Sequence, residues 1–228
     1  MPLTLIVASL FVATNCQRTP PPRAPIHQKY NLHLLPFDVR PVWYMVGKWV
    51  NRAPMHSVQG SLPFADELDF GIGVLPMFGA RSLNYTGSIY GFRSRQRLFH
   101  EYGYLIVKNH TRFDTETKTA FLVTSDRGYT SLEEGRVNFG SIDYEMRHFG
   151  QTSFGNHGRQ RIEFFTRRFI YNGRTLTQIL MYNVNGVTDG YTIEYDKVAG
   201  WDCETGCRAM IGYGLRRACE LCRPRQNT

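Results

Sequence analysis

Residues 83–108, LNYTGSIYGFRSRQRLFHEYGYLIVK, decide the fold. Residues 83–92 are rich in aromatic and β-branched side chains, while Arg93, Arg95 and Arg97 mark a place where a chain reversal stays solvated. Residues 98–107 carry many β-formers and little 3.6-residue periodicity, so a second strand is expected. At a strand's period of two, Phe99, Glu101, Gly103, Leu105 and Val107 share one face. His100, Tyr102, Tyr104 and Ile106 share the other. Two largely apolar faces suit a strand with a core on one side and further contacts on the other.

The same pattern continues on both sides of this hairpin. Residues 64–74 and 119–125 read as strands, Asp126-Arg127-Gly128 as a turn, and 129–132 as a resumption. Glu133-Glu134-Gly135 reads as a reversal before 136–142, with both carboxylates solvated. Residues 161–171 alternate, Asn172-Gly173 is a two-residue hairpin signal, and 175–183 continue. Asn185-Gly186 ends that strand and 191–198 close the series. Short strands at close spacing without helical patterns predict an all-β fold of roughly ten antiparallel strands. The barrel is expected over residues 41–198.

Upstream, Gly47 beside Trp49 suits a bulky indole plugging one end of a small barrel, or a plain core tryptophan. Residues 17–40 open with QRTPPPRAP, which reads as a Pro-rich linker. Residues 3–13 are an apolar run of signal-peptide length, so 1–16 are expected to be removed on export. Asn84 and Asn109 head Asn-x-Thr triplets and become glycan sites in that setting, Asn109 being the more accessible. No apolar run reaches the roughly 20 residues of a transmembrane helix. The net charge of +8 comes with no nucleic-acid motif, so no nucleic-acid partner is expected. Catalytic triad and phosphate-loop motifs are missing as well.

Residues 199–228 form a Cys-rich tail, expected to be helical. Cys203 and Cys207 are spaced to share one helix face, as are Cys219 and Cys222, with Gly212 and Gly214 available for a turn between them. The spacing is compatible with zinc or with two disulfides; export favours disulfides. The tail is either a clasp on the barrel or a knob for a protein partner whose identity the sequence does not give.

Five segments, MVGKWVNRAP, LNYT with HEYGYLIVK, RGYTSLEEGRV, RRFIYNG and YTIEYDKV, occur in this order over residues 42–198. Together they resemble nitrobindin and the heme-binding barrel that some animal proteins attach to a THAP zinc finger. The resemblance implies a ten-stranded barrel related in shape to fatty-acid-binding proteins. It implies heme b as cofactor, nitric oxide binding on ferric iron, and peroxynitrite isomerisation. It also implies two pocket histidines. Matching Glu101, Gly103 and Tyr104 puts Phe99 at one of those positions, and counting back from Val198 puts Gly190 at the other, followed on the same face by Thr192. Tyr191 is then expected to point outward. His148 and His157 are the reserve ligands, bracketing a loop expected to cover the mouth. The expected binding set is therefore Trp49, Phe99, Glu101, Gly190 and Thr192, holding a small hydrophobic or amphipathic ligand. The competing readings are a heme-dependent isomerase and an extracellular interaction module whose barrel is filled by side chains.

Overall fold

Alternation of inward apolar and outward polar side chains sets the architecture, and the register confirms it strand by strand. The computed structural model describes residues 28–53, 64–73, 81–91, 93–112, 115–152, 162–215 and 217–222. The expected leader, residues 17–27 of the linker, and His157 lie outside the described residues. Ten strands form a closed antiparallel barrel: β1 Gly47–Asn51, β2 Phe64–Ile72, β3 Ser82–Gly91, β4 Arg97–Lys108 and β5 Lys118–Ser125, then β6 Tyr129–Asn138, β7 Ser141–Gln151, β8 Ile162–Tyr171, β9 Thr175–Val184 and β10 Val187–Ala199. Each strand pairs with its sequence neighbours, and β1 closes the ring between β2 and β10. Closure leaves no free sheet edge.

On β4 the expected faces are observed. Gly103, Leu105 and Val107 are buried, and Tyr102 and Tyr104 are exposed on the outside. The segment Glu133-Glu134-Gly135 is not a reversal: β6 runs through it, and the chain turns at Phe139-Gly140 instead. Gly135 sits where a Cβ would collide with the Asp143 carbonyl of β7, so the glycine permits close strand approach rather than a turn. Residues 149–151, expected to begin the loop after His148, belong to β7.

One end of the barrel is closed by a 3-10 segment, Phe37–Met45, whose Val39, Val42, Trp43, Tyr44 and Met45 are buried. This segment thus includes residues 37–40 of the expected linker. Trp49 on β1 is fully buried at this end, its indole N–H donating to the Met45 carbonyl at 2.8 Å. Lys197 lies 4.4 Å from the indole centroid and donates to the carbonyls of Tyr44, Val46 and Trp201. Gly47 adopts φ +141, and a Cβ there would stand 2.6 Å from the Ala199 carbonyl. Only glycine allows that approach of β1 to β10 without strain.

The tail is a clasp on the closed end. Helix α1, Cys203–Gly212, is capped by Asp202, whose side chain accepts from the Thr205 N–H. Cys207, Met210 and Ala218 join the core cluster that holds Trp43 and Leu32. Two nested disulfides, Cys203–Cys222 and Cys207–Cys219, tie α1 to the final turn Ala218–Cys222. Thiol titration of denatured, unreduced protein is expected to find none of these cysteines free. Reduction should lower stability by about 3 kcal/mol per bridge. Four thiols titrating without reductant would contradict the pairing.

Asn84 is exposed on the outer face of β3. Asn109 is half-buried, and its amide nitrogen is enclosed without a hydrogen-bond partner among the described residues. The expected order of accessibility is therefore reversed, because period-two alternation turns Asn84 outward between the buried Leu83 and Tyr85.

Candidate functional site: a half-filled barrel with an ionic floor

The interior divides into two layers. Beside the closed end, Phe70, Tyr85, Phe121, Tyr144 and Phe169 pack ring against ring, with centroids 5.0 Å apart for Phe70–Tyr85 and 5.6 Å for Phe121–Tyr144. That half is filled. The other half holds a cavity of about 480 Å³, within the usual range for small-molecule sites. Its walls are mainly apolar, including Ile89, Phe99, Met146, Phe149, Phe165 and Leu180.

Between the layers lies a charged floor. Arg167 of β8 makes two parallel hydrogen bonds to Glu133 of β6, Nε to Oε2 at 3.1 Å and Nη2 to Oε1 at 3.2 Å. The Glu133 side chain has 0% exposure and that of Arg167 5%, so this is a buried fork-to-carboxylate pair. Its guanidinium also stands 5.0 Å from the Phe121 ring centroid and 5.1 Å from that of Phe165. Burial works against the guanidinium charge, and Glu133 and Glu101 more than offset it, holding the Arg167 pKa above its ordinary value. Ser131 Oγ donates to Glu133 at 3.0 Å.

Glu101 of β4 faces the cavity, 3.8 Å from Arg167 Nη1, and accepts a short hydrogen bond from the Tyr85 hydroxyl. Gly87 makes this approach feasible: a Cβ there would collide with the Tyr85 hydroxyl and stand 2.9 Å from Glu101 Cγ. Asp66 of β2 is 7% exposed, and burial, reinforced by the Glu101 charge, raises its pKa to about 7. The Tyr195 hydroxyl lies 3.0 Å from Asp66 Oδ2 and 2.9 Å from Gln178 Oε1. A phenol carries one proton, so it cannot donate to both. A proton on Asp66 satisfies both contacts.

This geometry has a measurable consequence. The folded pKa of Asp66, about 7, exceeds its ordinary value of 3.8, so the folded state holds the proton more tightly. The resulting stability is complete below pH ~4 and is lost as pH rises through ~7. Compared with Asp66→Asn, wild-type protein is expected to lose on the order of 3 kcal/mol between pH 4 and 8. Parallel pH profiles of thermal unfolding for the two proteins would contradict this.

The sequence-derived binding residues divide. Phe99 and Glu101 line the cavity. Trp49 does not; it belongs to the closed end. Gly190 and Thr192 lie on the outer face of β10, Gly190 opposite the exposed Met181. The inward residues are Tyr191, Ile193 and Tyr195, the first on the cavity wall and the other two buried. The cause is a β-bulge: Lys48 pairs with Ala199 and Trp49 with Lys197, so Val198 is skipped and 59% exposed. Counting back from Val198 therefore lands on the wrong face. His148 also points outward, beyond a bulge between Met146 and His148. His100 faces out as well and pairs with Ser88 Oγ at 2.9 Å. Sequence reasoning missed Arg167, Glu133 and Asp66. An inward arginine between Phe165 and Phe169 was the available signal.

The described residues that line the cavity do not supply the histidines of the heme site implied by the resemblance. Among the described residues no histidine faces the cavity. The inward groups able to bind iron include phenols such as Tyr191 and the Met146 thioether. A second cleft of about 600 Å³ lies outside the barrel, between β10 and the tail. Its lining amine, Lys197, is lowered to about 7 by burial but is already bonded to three carbonyls. Convergent polar groups beneath apolar walls make the barrel cavity the better site.

No curated protein matches the chain. The crystal structure of Rv2717c from M. tuberculosis is similar, with a TM-score of 0.55 at 17% identity over 72% of this chain and 98% of that one. At that identity the likeness speaks for the fold. The family model for the THAP4-like, heme-binding beta-barrel domain matches residues 38–194, from the closing 3-10 segment into β10. The chain belongs to the family of THAP4-like heme-binding β-barrel domains.

Proposed function

We propose that this barrel binds an amphipathic small molecule in its open half, without a histidine–iron bond. One observation carries the reading: an apolar-walled cavity of about 480 Å³ ends on a floor of ionised and hydrogen-bonded side chains. A ligand with an apolar body meets the walls, and its polar end meets the floor. Family membership supports a cavity ligand, because heme is itself amphipathic. The two disulfides and the apolar run at residues 3–13 support export, where such a barrel would act as an extracellular carrier.

Nile red, a neutral apolar dye, is expected to bind one per chain with a blue-shifted, enhanced emission. Ile89→Trp fills the half-buried wall of the cavity and should abolish that signal while leaving the circular dichroism unchanged. Undiminished dye binding by the folded variant would place the site elsewhere and defeat the reading.

A further inference from the structure

The charges facing the cavity decide which head group it takes. Among the described residues these are Asp66, Glu101, Arg127 and Arg167, with Glu133 behind Arg167. Arg127 is an exposed residue at the mouth, where it donates to the Leu98 carbonyl and lies over Phe99. Water screens it there. At the floor one guanidinium meets three carboxylates, and two of its nitrogens are already spent on Glu133. A ligand carboxylate arriving here would meet the Glu101 carboxylate, and a guanidinium already paired with Glu133 and Glu101.

Glu101 is the group left with an open acceptor. Tyr85 donates to its Oε1, Arg167 Nη1 at 3.8 Å is beyond hydrogen-bond reach, and no donor reaches Oε2 among the described residues. Its side chain is 14% exposed, and that exposure opens onto the cavity. Its second oxygen, so placed, gains from a further donor. A primary ammonium brings a charge of the needed sign and three N–H donors.

We propose that the cavity selects amphiphiles with a protonated amine head, seated head-down between Glu101 and Asp66, and rejects their carboxylate counterparts. The inference rests on the ligand-cavity reading and adds the sign of the head group. It also separates this barrel from one that takes a carboxylate on a free arginine. In a water-excluded site the sign matters most, because unlike charges attract and like charges repel with little screening.

The test uses the full chain with Nile red seated, and three competitors of equal tail: dodecylamine, dodecanol and dodecanoate, each below its micelle concentration at pH 7.5. Dodecylamine is expected to displace the dye at a concentration at least about tenfold below that of dodecanoate, with dodecanol between them. Glu101→Gln should erase most of that preference while Nile red binding persists. Equal displacement by all three overturns the head-group inference and leaves the cavity reading standing. Stronger displacement by dodecanoate that is lost in Arg127→Gln also overturns it, placing heads at the mouth. No Nile red binding at all overturns both readings.

Discussion

Tyr191→His is expected to convert the barrel into a histidine-type heme protein when hemin is added. Wild-type protein should give only a broad, weak Soret band. Tyr191 occupies the inward face of β10 on the cavity wall, beside Tyr182 at a centroid distance of 6.5 Å. An imidazole there would enter the cavity with its nitrogen free to bind iron. Gly190→His should not help, because its side chain would project outward and a Cβ would stand 2.6 Å from the Leu180 carbonyl. Affinity for hemin should rise at least about tenfold in Tyr191→His, read by absorbance titration, with a stoichiometric endpoint. A gain in Gly190→His with none in Tyr191→His would show that the face assignment on β10 is reversed.

Arg167→Met is expected to cost about 3–5 kcal/mol of stability, the largest single loss outside the aromatic layer. The substitution keeps much of the side-chain volume but strands Glu133, which has 0% exposure and, among the described residues, retains only Ser131 as a side-chain donor. Most of the penalty is the unpaired carboxylate rather than the lost attraction. Arg167→Met combined with Glu133→Met should therefore recover the greater part, since well-packed apolar pairs often replace buried ion pairs with little loss. Urea unfolding of the two single variants and the double variant measures the coupling directly. A single variant within about 1 kcal/mol of wild type would mean that water reaches Glu133 and that the floor is not dry.

How much of this was legible in the sequence depended on the distance over which each feature is determined. The two faces of residues 99–107 on β4 were readable because alternation there is uninterrupted and local. The barrel followed from the spacing of turns such as Asn172-Gly173. On β10 the same counting failed, since one bulged residue, Val198, shifts every side chain before it to the other face, and the bulge exists only in the pairing with β1. Glu133 looked like a turn residue because two carboxylates and a glycine normally seek water. Its partner, Arg167, lies 34 residues away, on a strand that does not neighbour β6 in the sheet. The tail cysteines announced shared helix faces, but their nested pairing, first with last and second with third, depends on how the chain folds back after α1 at Gly214. The barrel expected to be either open or filled is both, because the aromatic layer occupies only the half beside the closed end.

The protein isolated from its natural source carries the most direct test. Its absorption spectrum is recorded, and the bound material is then extracted and identified by mass spectrometry. The account predicts close to one amphipathic organic molecule per chain and no histidine-type Soret band. Stoichiometric heme with a sharp histidine-type Soret band would contradict it.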